Sequence, residues 1–165
     1  MASPSRITVP AFAERKSSAQ KLCMLTAYDF PTAQLLDQSG VDAILVGDSL
    51  ANVVQGRETT IPVTLDEIIY HAEIVCRAVE HALVVVDMPF LSYHTGIEQA
   101  IANAGRILKQ TGCQAVKLEG NAGQAAIVSS LVDIGILVMA HVGLRPQSIH
   151  QMGGYRVQRD RETLL

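Results

Sequence analysis

Tryptophan is absent from this 165-residue sequence, and all aromatic residues together make up 4%. Any core must therefore be assembled from Val, Ile, Leu and Ala. Charge is also sparse, at 18%, against 48% hydrophobic residues, which excludes a disordered chain. Lys and Arg number 13 and Asp and Glu 16, giving a net charge of −3. That balance offers no electrostatic case for a nucleic-acid partner. No basic amphipathic stretch suggests a membrane surface, and no apolar run approaches the roughly 20 residues of a span. The first 20 residues lack the apolar segment of a secretion signal and read as a Ser-rich, mixed-charge arm (1–20) ahead of one domain (21–165).

Cysteine is scarce too: Cys23, Cys76 and Cys113, an odd number, widely spaced and without a CxxC pair. A disulfide framework is excluded. Cys23 and Cys113 border apolar runs and Cys76 falls on an apolar helix face, so all three are expected as buried, reduced thiols, in keeping with a cytoplasmic setting. Two phosphate-cradling motifs are missing as well. No GxGxxG follows the first strand, and no GxxxxGK[ST] occurs anywhere.

What is present is an alternation. Five short apolar runs, Leu22–Ala27, Ala43–Val46, Leu83–Val86, Ala115–Leu118 and Leu137–Ala140, are too short for helices. Several are continuously apolar and β-branched, as in strands buried on both faces of a parallel sheet. Helical patterns lie between them. Thr64 and Glu67 have the spacing of a capping box, and Leu65, Ile68, Ile69, Ala72, Val75, Cys76 and Val79 then mark one apolar face. Thr95 and Glu98 suggest a second box, opening a helix that ends before Gly112. A third helix is expected after Asn121, with Ala125, Val128, Leu131 and Val132 inward, and a shorter one between Pro31 and Ser39. Residues 49–63 read as irregular. This order implies an α/β fold with a parallel sheet. A doubly wound sheet and a β/α barrel both fit it.

Polar residues recur where each apolar run stops: Tyr28 and Asp29, Asp48 and Ser49, Asp87, Lys117 and Glu119, and His141. In a β/α barrel these positions form the C-terminal rim, where active sites lie. Asp48, Asp87 and Glu119 present only oxygen donors. Carboxylates gathered at one rim repel each other unless a cation joins them, and hard oxygen donors suit Mg²⁺. Each acid taken singly could instead cap the following helix or pair with a local base. Lys117 could hold a substrate carboxylate or form a salt bridge to one of the acids. His141 could act in acid–base chemistry or be structural. His71 and His81 look helical and surface-facing. His94 and His150 fall in loops or helix starts, and Arg156, Arg159 and Arg161 in a solvated loop. The chemistry that fits the rim is Lewis-acid activation of an α-keto acid, whose polarised carbonyl acidifies the adjacent C–H. Such chemistry needs a general base within hydrogen-bond reach of that carbon, and beyond His141 none is evident.

Five segments, LTAYDFPTA, ILVGDSLANVVQGRETTIPVTLDEIIYH, VVVDMPFLSY, AVKLEG and AHVGLRPQSIHQMGGYRVQ, resemble the ketopantoate hydroxymethyltransferase family in sequence and in order. The resemblance spans Arg6 to Arg159. It implies a β/α barrel that binds Mg²⁺. It also implies transfer of a hydroxymethyl group from 5,10-methylenetetrahydrofolate to 3-methyl-2-oxobutanoate in pantothenate biosynthesis, by a homo-oligomeric enzyme. It assigns Asp48, Asp87 and Glu119 to the metal, Asp48, Ser49, Asp87 and Lys117 to the keto acid, and His141 and Tyr28 to polar rim positions. A barrel typically needs about 250 residues, so about five of eight strands are expected here. The resemblance places the catalytic glutamate at a sixth strand that this sequence does not contain; Glu162 precedes it. Two other readings stay open: another Mg²⁺-dependent barrel enzyme acting on α-keto-acid enolates, and a non-catalytic relative that only binds ligand or subunits.

Overall fold

The five apolar runs fold into one parallel sheet in a computed structural model, which describes residues 6–18 and 20–157. The strands are β1 (Met24–Thr26), β2 (Ala43–Val46), β3 (Leu83–Asp87), β4 (Ala115–Glu119) and β5 (Val138–His141). Their spatial order is β1-β2-β3-β4-β5, and every neighbouring pair is parallel. A doubly wound sheet reverses its strand order at a switch point. No reversal occurs, so the architecture is that of successive β/α units of a barrel.

The chain order of the helices is α1 (Val9–Glu14), α2 (Phe30–Gln38), α3 (Leu50–Val53), α4 (Leu65–Ala78), α5 (Ile97–Thr111), α6 (Ala125–Asp133) and α7 (Ile149–Met152). Helices α2, α4, α5 and α6 line up on one face of the sheet, each packed on the next. Alternation along the strands divides the core in two. Val84, Val86, Val116 and Leu118 face these helices. Leu83, Val85 and Ala115 face the other way, toward Ile7, Val9 and Phe12 from the segment expected as an arm. That segment therefore holds a helix, α1, laid against the inner face of the sheet.

Capping separates two helices that look alike in sequence. The Thr64–Glu67 box forms at α4: the Thr64 hydroxyl accepts from Glu67 N–H at 3.2 Å, and the Glu67 carboxylate accepts from Thr64 N–H at 2.7 Å. The Thr95–Glu98 box does not form. The N-cap of α5 is Gly96 at φ 139°, and Thr95 N–H instead donates to the side chain of Gln99. That left-handed backbone, one residue later than expected, carries Thr95 away from the helix end. Gly112 closes α5 at φ 75°, where a glycine avoids the Cβ clash.

Three other expectations need correction. Residues 50–53 of the segment read as irregular form α3. Val132 of α6 is exposed, as is Ala125, while Leu131 is the buried residue of that helix. Cys23 is exposed, Cys76 half-buried and Cys113 buried; all three are free thiols. Cys23 escapes burial because β1 is an edge strand among the described residues, whereas every residue of the central β3 is buried. Arg159, Arg161 and Glu162 lie outside the described residues.

Candidate functional site at the strand ends

Register assembles the site. Asp87 on β3 pairs with Lys117 on β4, and Glu119 on β4 pairs with His141 on β5. Residues level across a parallel pair share a face, so the polar ends of three strands meet on the inner rim. Val46 is level with Val86, which sets Gly47 beside Asp87 and Asp48 one step beyond. A Cβ on Gly47 would stand 3.0 Å from Ser49 Oγ and 3.2 Å from Asp87 Oδ2. Glycine is what lets the Asp87 carboxylate reach back and accept the Asp48 N–H at 3.0 Å.

The acids are buried although they are charged residues. Asp48 is 5% exposed, Asp87 3% and Glu119 6%. Lys117 forms an ion pair with Asp87, so the salt-bridge alternative for this lysine is realised in the structure. Three carboxylates thus face one ammonium, and two negative charges are left over if all ionise. The electrostatic cost is visible at Asp48, whose carboxyl is pushed up to about 6 by burial and then by the charge of Asp87. Burial also raises Asp87, against the pull of Lys117.

Two residues that the sequence reading did not single out hold this cluster. Gln147, in the loop after β5, donates through Nε2 to Asp48 Oδ2 at 2.8 Å and to Met88 O at 3.0 Å. Its backbone N–H donates to Glu119 Oε2 at 3.0 Å. Tyr93 is fully buried, and its hydroxyl lies 2.8 Å from Gln147 Oε1, 2.9 Å from Glu119 O and 3.2 Å from Glu119 N. Burial, followed by the charge of Glu119, raises the Tyr93 phenol far above its ordinary value, so it stays a neutral donor. Side-chain amides of α5 present the Tyr93 loop: Gln99 donates to Leu91 O at 2.9 Å and Asn103 to Ser92 O at 2.7 Å. Gln147 stands among other polar loop residues of the chain, and nothing in the sequence distinguishes it from Ser148 or Gln151.

The remaining rim residues are also placed. Tyr28 and Ser49 share a hydrogen bond of 2.7 Å between their hydroxyls. Asp29 caps α2 by accepting Thr32 N–H at 2.8 Å, the local role open to any single acid. His141 Nδ1 approaches Glu119 Oε1 at 3.6 Å, too far for a hydrogen bond, and is buried without a hydrogen-bond partner. His71 is not the free surface residue expected: its Nδ1 lies 2.7 Å from Tyr28 O and helps fix the Tyr28 backbone. His81 likewise pairs with Asp37 at 3.1 Å. His94 rests its ring 4.1 Å from that of Tyr93. A cleft of about 320 Å³ opens beside Glu119 and Gln147, walled by Phe90, Tyr93, His94 and Arg145.

Among the described residues no group of three or more His, Cys, Asp and Glu side chains is arranged as a metal-ligand set. The chemistry of the donors nevertheless suits a hard cation. They are all oxygen and buried, they carry excess negative charge, and the carboxyl of Asp48 is raised by burial and by the charge of Asp87. No helix among the described residues is long and apolar enough to cross a membrane.

Sequential parallel strands with a buried acidic rim define a β/α-barrel type of fold with a candidate site at the strand ends. Fold comparison agrees. A crystal structure of phosphonopyruvate hydrolase in complex with oxalate and Mg²⁺ matches with a TM-score of 0.63 at 12% identity, over 90% of this chain and 56% of that one. A 2,3-dimethylmalate lyase of the PEP mutase/isocitrate lyase superfamily matches with a TM-score of 0.60 at 19% identity, over 88% of this chain and 55% of that one. At the level of sequence, residues 6–164 match the family model described as ketopantoate hydroxymethyltransferase, and the chain belongs to that family. A 3-methyl-2-oxobutanoate hydroxymethyltransferase of Desulforapulum autotrophicum is 53% identical over 160 residues, covering 97% of this chain and 61% of the relative. The protein of the same name from Rhodopirellula baltica is 53% identical over 161 residues, covering 98% and 60%. This chain thus spans about three fifths of the length of the curated relatives it matches.

Proposed function

We propose that these residues form the cation- and keto-acid-gripping part of an enzyme that transfers a hydroxymethyl group to 3-methyl-2-oxobutanoate, with 5,10-methylenetetrahydrofolate as donor. The observation that carries this reading is the buried meeting of Asp48, Asp87, Lys117 and Glu119 on one rim of the sheet. The names of relatives at about half identity support the reaction and its acceptor.

In this reading Asp48, Asp87 and Glu119 would hold Mg²⁺. A cation held by these residues would supply Lewis acidity toward a keto oxygen and so make the neighbouring C–H more acidic. The chain's own groups do the rest of the gripping. Lys117 brings a point charge to the carboxylate of the substrate, and loosening its pair with Asp87 is the corresponding cost. The Ser49 hydroxyl, oriented by Tyr28, supplies a hydrogen bond at the same end. Asp48 N–H keeps Asp87 turned toward the rim. Tyr93 and Gln147 wall the site and exclude water from the acids. His141 stands 3.6 Å from Glu119 on the same rim. The proton acceptor comes from beyond β5, and the enzyme works in the cytoplasm as a homo-oligomer.

Titration calorimetry tests this reading directly. The folded protein should bind 3-methyl-2-oxobutanoate when Mg²⁺ is present and not when it is chelated, and Asp87→Asn should abolish the difference. Keto-acid binding that is indifferent to Mg²⁺, or absent with it, would overturn the proposal.

A further inference from the structure

Gln147 is the residue through which three separate strand ends are tied together, and its hydrogen bonds leave no freedom in how its amide is oriented. Both Nε2 protons have acceptors, Asp48 Oδ2 at 2.8 Å and Met88 O at 3.0 Å. A reversed amide would set its oxygen against a carboxylate and a carbonyl, with no proton between them. The nitrogen therefore faces Asp48, and Oε1 must find its donor elsewhere. The Tyr93 hydroxyl at 2.8 Å is that donor. Its proton has two acceptors, Gln147 Oε1 and Glu119 O at 2.9 Å, and the same oxygen accepts Glu119 N–H at 3.2 Å. The Gln147 backbone adds a bond to Glu119 Oε2 at 3.0 Å. The chain Glu119 N–H, Tyr93 O–H, Gln147 N–H, Asp48 carboxylate thus runs donor to acceptor from β4, through the β3–α5 loop and the β5 loop, to the end of β2. Tyr93 and Gln147 are both buried, with Gln147 6% exposed.

We infer that Gln147 and Tyr93 are positioning residues that aim the Asp48 and Glu119 carboxylates at a common cation. The inference rests on the metal-binding reading above and deepens it. Three buried acids repel one another and would turn apart if free. Gln147 holds one oxygen of each acid, Asp48 Oδ2 through its side chain and Glu119 Oε2 through its backbone N–H, and the Tyr93 hydroxyl fixes the Gln147 amide, which leaves the second oxygen of each acid for the cation. Outer partners of this kind typically change metal affinity by about 10–100-fold when removed. They also explain why a residue after β5 matters to acids at β2 and β4: the pair Gln147–Asp48 spans 99 positions of sequence.

The test is Mg²⁺ affinity, measured by calorimetry without substrate on the full chain, beside a thermal melt in chelator. Gln147→Met keeps the volume and removes both donors. Tyr93→Phe keeps the ring and removes the hydroxyl. Each should weaken Mg²⁺ binding at least tenfold while the protein remains folded, and the double variant should lose little more than Gln147→Met alone, since the two act in one chain. Unchanged Mg²⁺ affinity in either folded single variant would overturn the inference, as would additive losses in the double variant. If Gln147→Met does not fold, Tyr93→Phe decides alone. A wild-type chain that binds no Mg²⁺ would instead overturn the metal-binding reading, and the inference with it.

Discussion

Asp37 shows how a buried carboxylate can serve the fold. It sits at the end of α2, 6% exposed, and accepts the backbone N–H groups of Glu80 at 2.9 Å, His81 at 3.1 Å and Ala82 at 2.7 Å. Burial works to raise its pKa, but these backbone donors outweigh it and hold the group below the ordinary 3.8. A carboxyl with a lowered folded-state pKa contributes stability that is complete above the unfolded-state value and fades as pH falls through the folded one. Asp37→Asn should therefore cost about 2–3 kcal/mol at pH 7, the worth of hydrogen bonds to a charged group. The loss should shrink as pH drops below about 3.8. Urea unfolding of both proteins at pH 7 and at pH 3 checks this; an equal loss at both would refute it. Asp48 is the opposite case. Burial and a neighbouring charge raise it, with only Gln147 and Lys117 in its favour. Backbone donors outweigh burial at Asp37, whereas at Asp48 burial and the neighbouring charge outweigh the single side-chain donor Gln147 and the pull of Lys117.

At the scale of the element, capping decides which helix ends were legible. The T-x-x-E pattern occurs at Thr64 and at Thr95, yet only the first forms a box. Thr64→Ala should cost about 1 kcal/mol, whereas Thr95→Ala should stay within about 0.5 kcal/mol. Denaturant midpoints for the two variants make the comparison, and equal losses would contradict the structure. Apolar periodicity found α4, where burial follows it closely, and α5, where Ala100 and Ala104 are buried but Ile97, expected to face inward, is exposed. It misjudged α6, where Ala125 and Val132 are exposed, because a cleft of about 490 Å³ lies between that helix and β5. The strand ends were legible for a simpler reason. A polar residue that terminates an apolar run marks where the sheet stops, and Asp48, Asp87, Lys117, Glu119 and His141 all fall there. Gln147 and Tyr93 were not, since loop residues carry no period from which to read their direction.

At the scale of the molecule, stability should fall from the middle of the sheet outward. Every residue of β3 is buried, whereas β1 and β5 pair on one side only among the described residues and are mostly half-buried or exposed. Amide hydrogen exchange should be slowest at Val84–Val86 and faster by orders of magnitude at Leu25 and Ala140. Uniform protection across all five strands would refute this gradient.

Composition and run length were enough to determine the α/β alternation, the parallel sheet and the set of polar residues at its ends. These are local consequences: a short apolar run between helical patterns forms a strand, and its polar successor marks the rim. Periodicity left the doubly wound and barrel-type orders open, because strand neighbours are chosen by packing; the family resemblance implied the barrel, and the strand order of the tertiary structure agrees with it. The tertiary structure alone brought Gln147 and Tyr93 to the acids. Those contacts join residues up to 99 positions apart, and their geometry depends on the register of β2, β3 and β4 together.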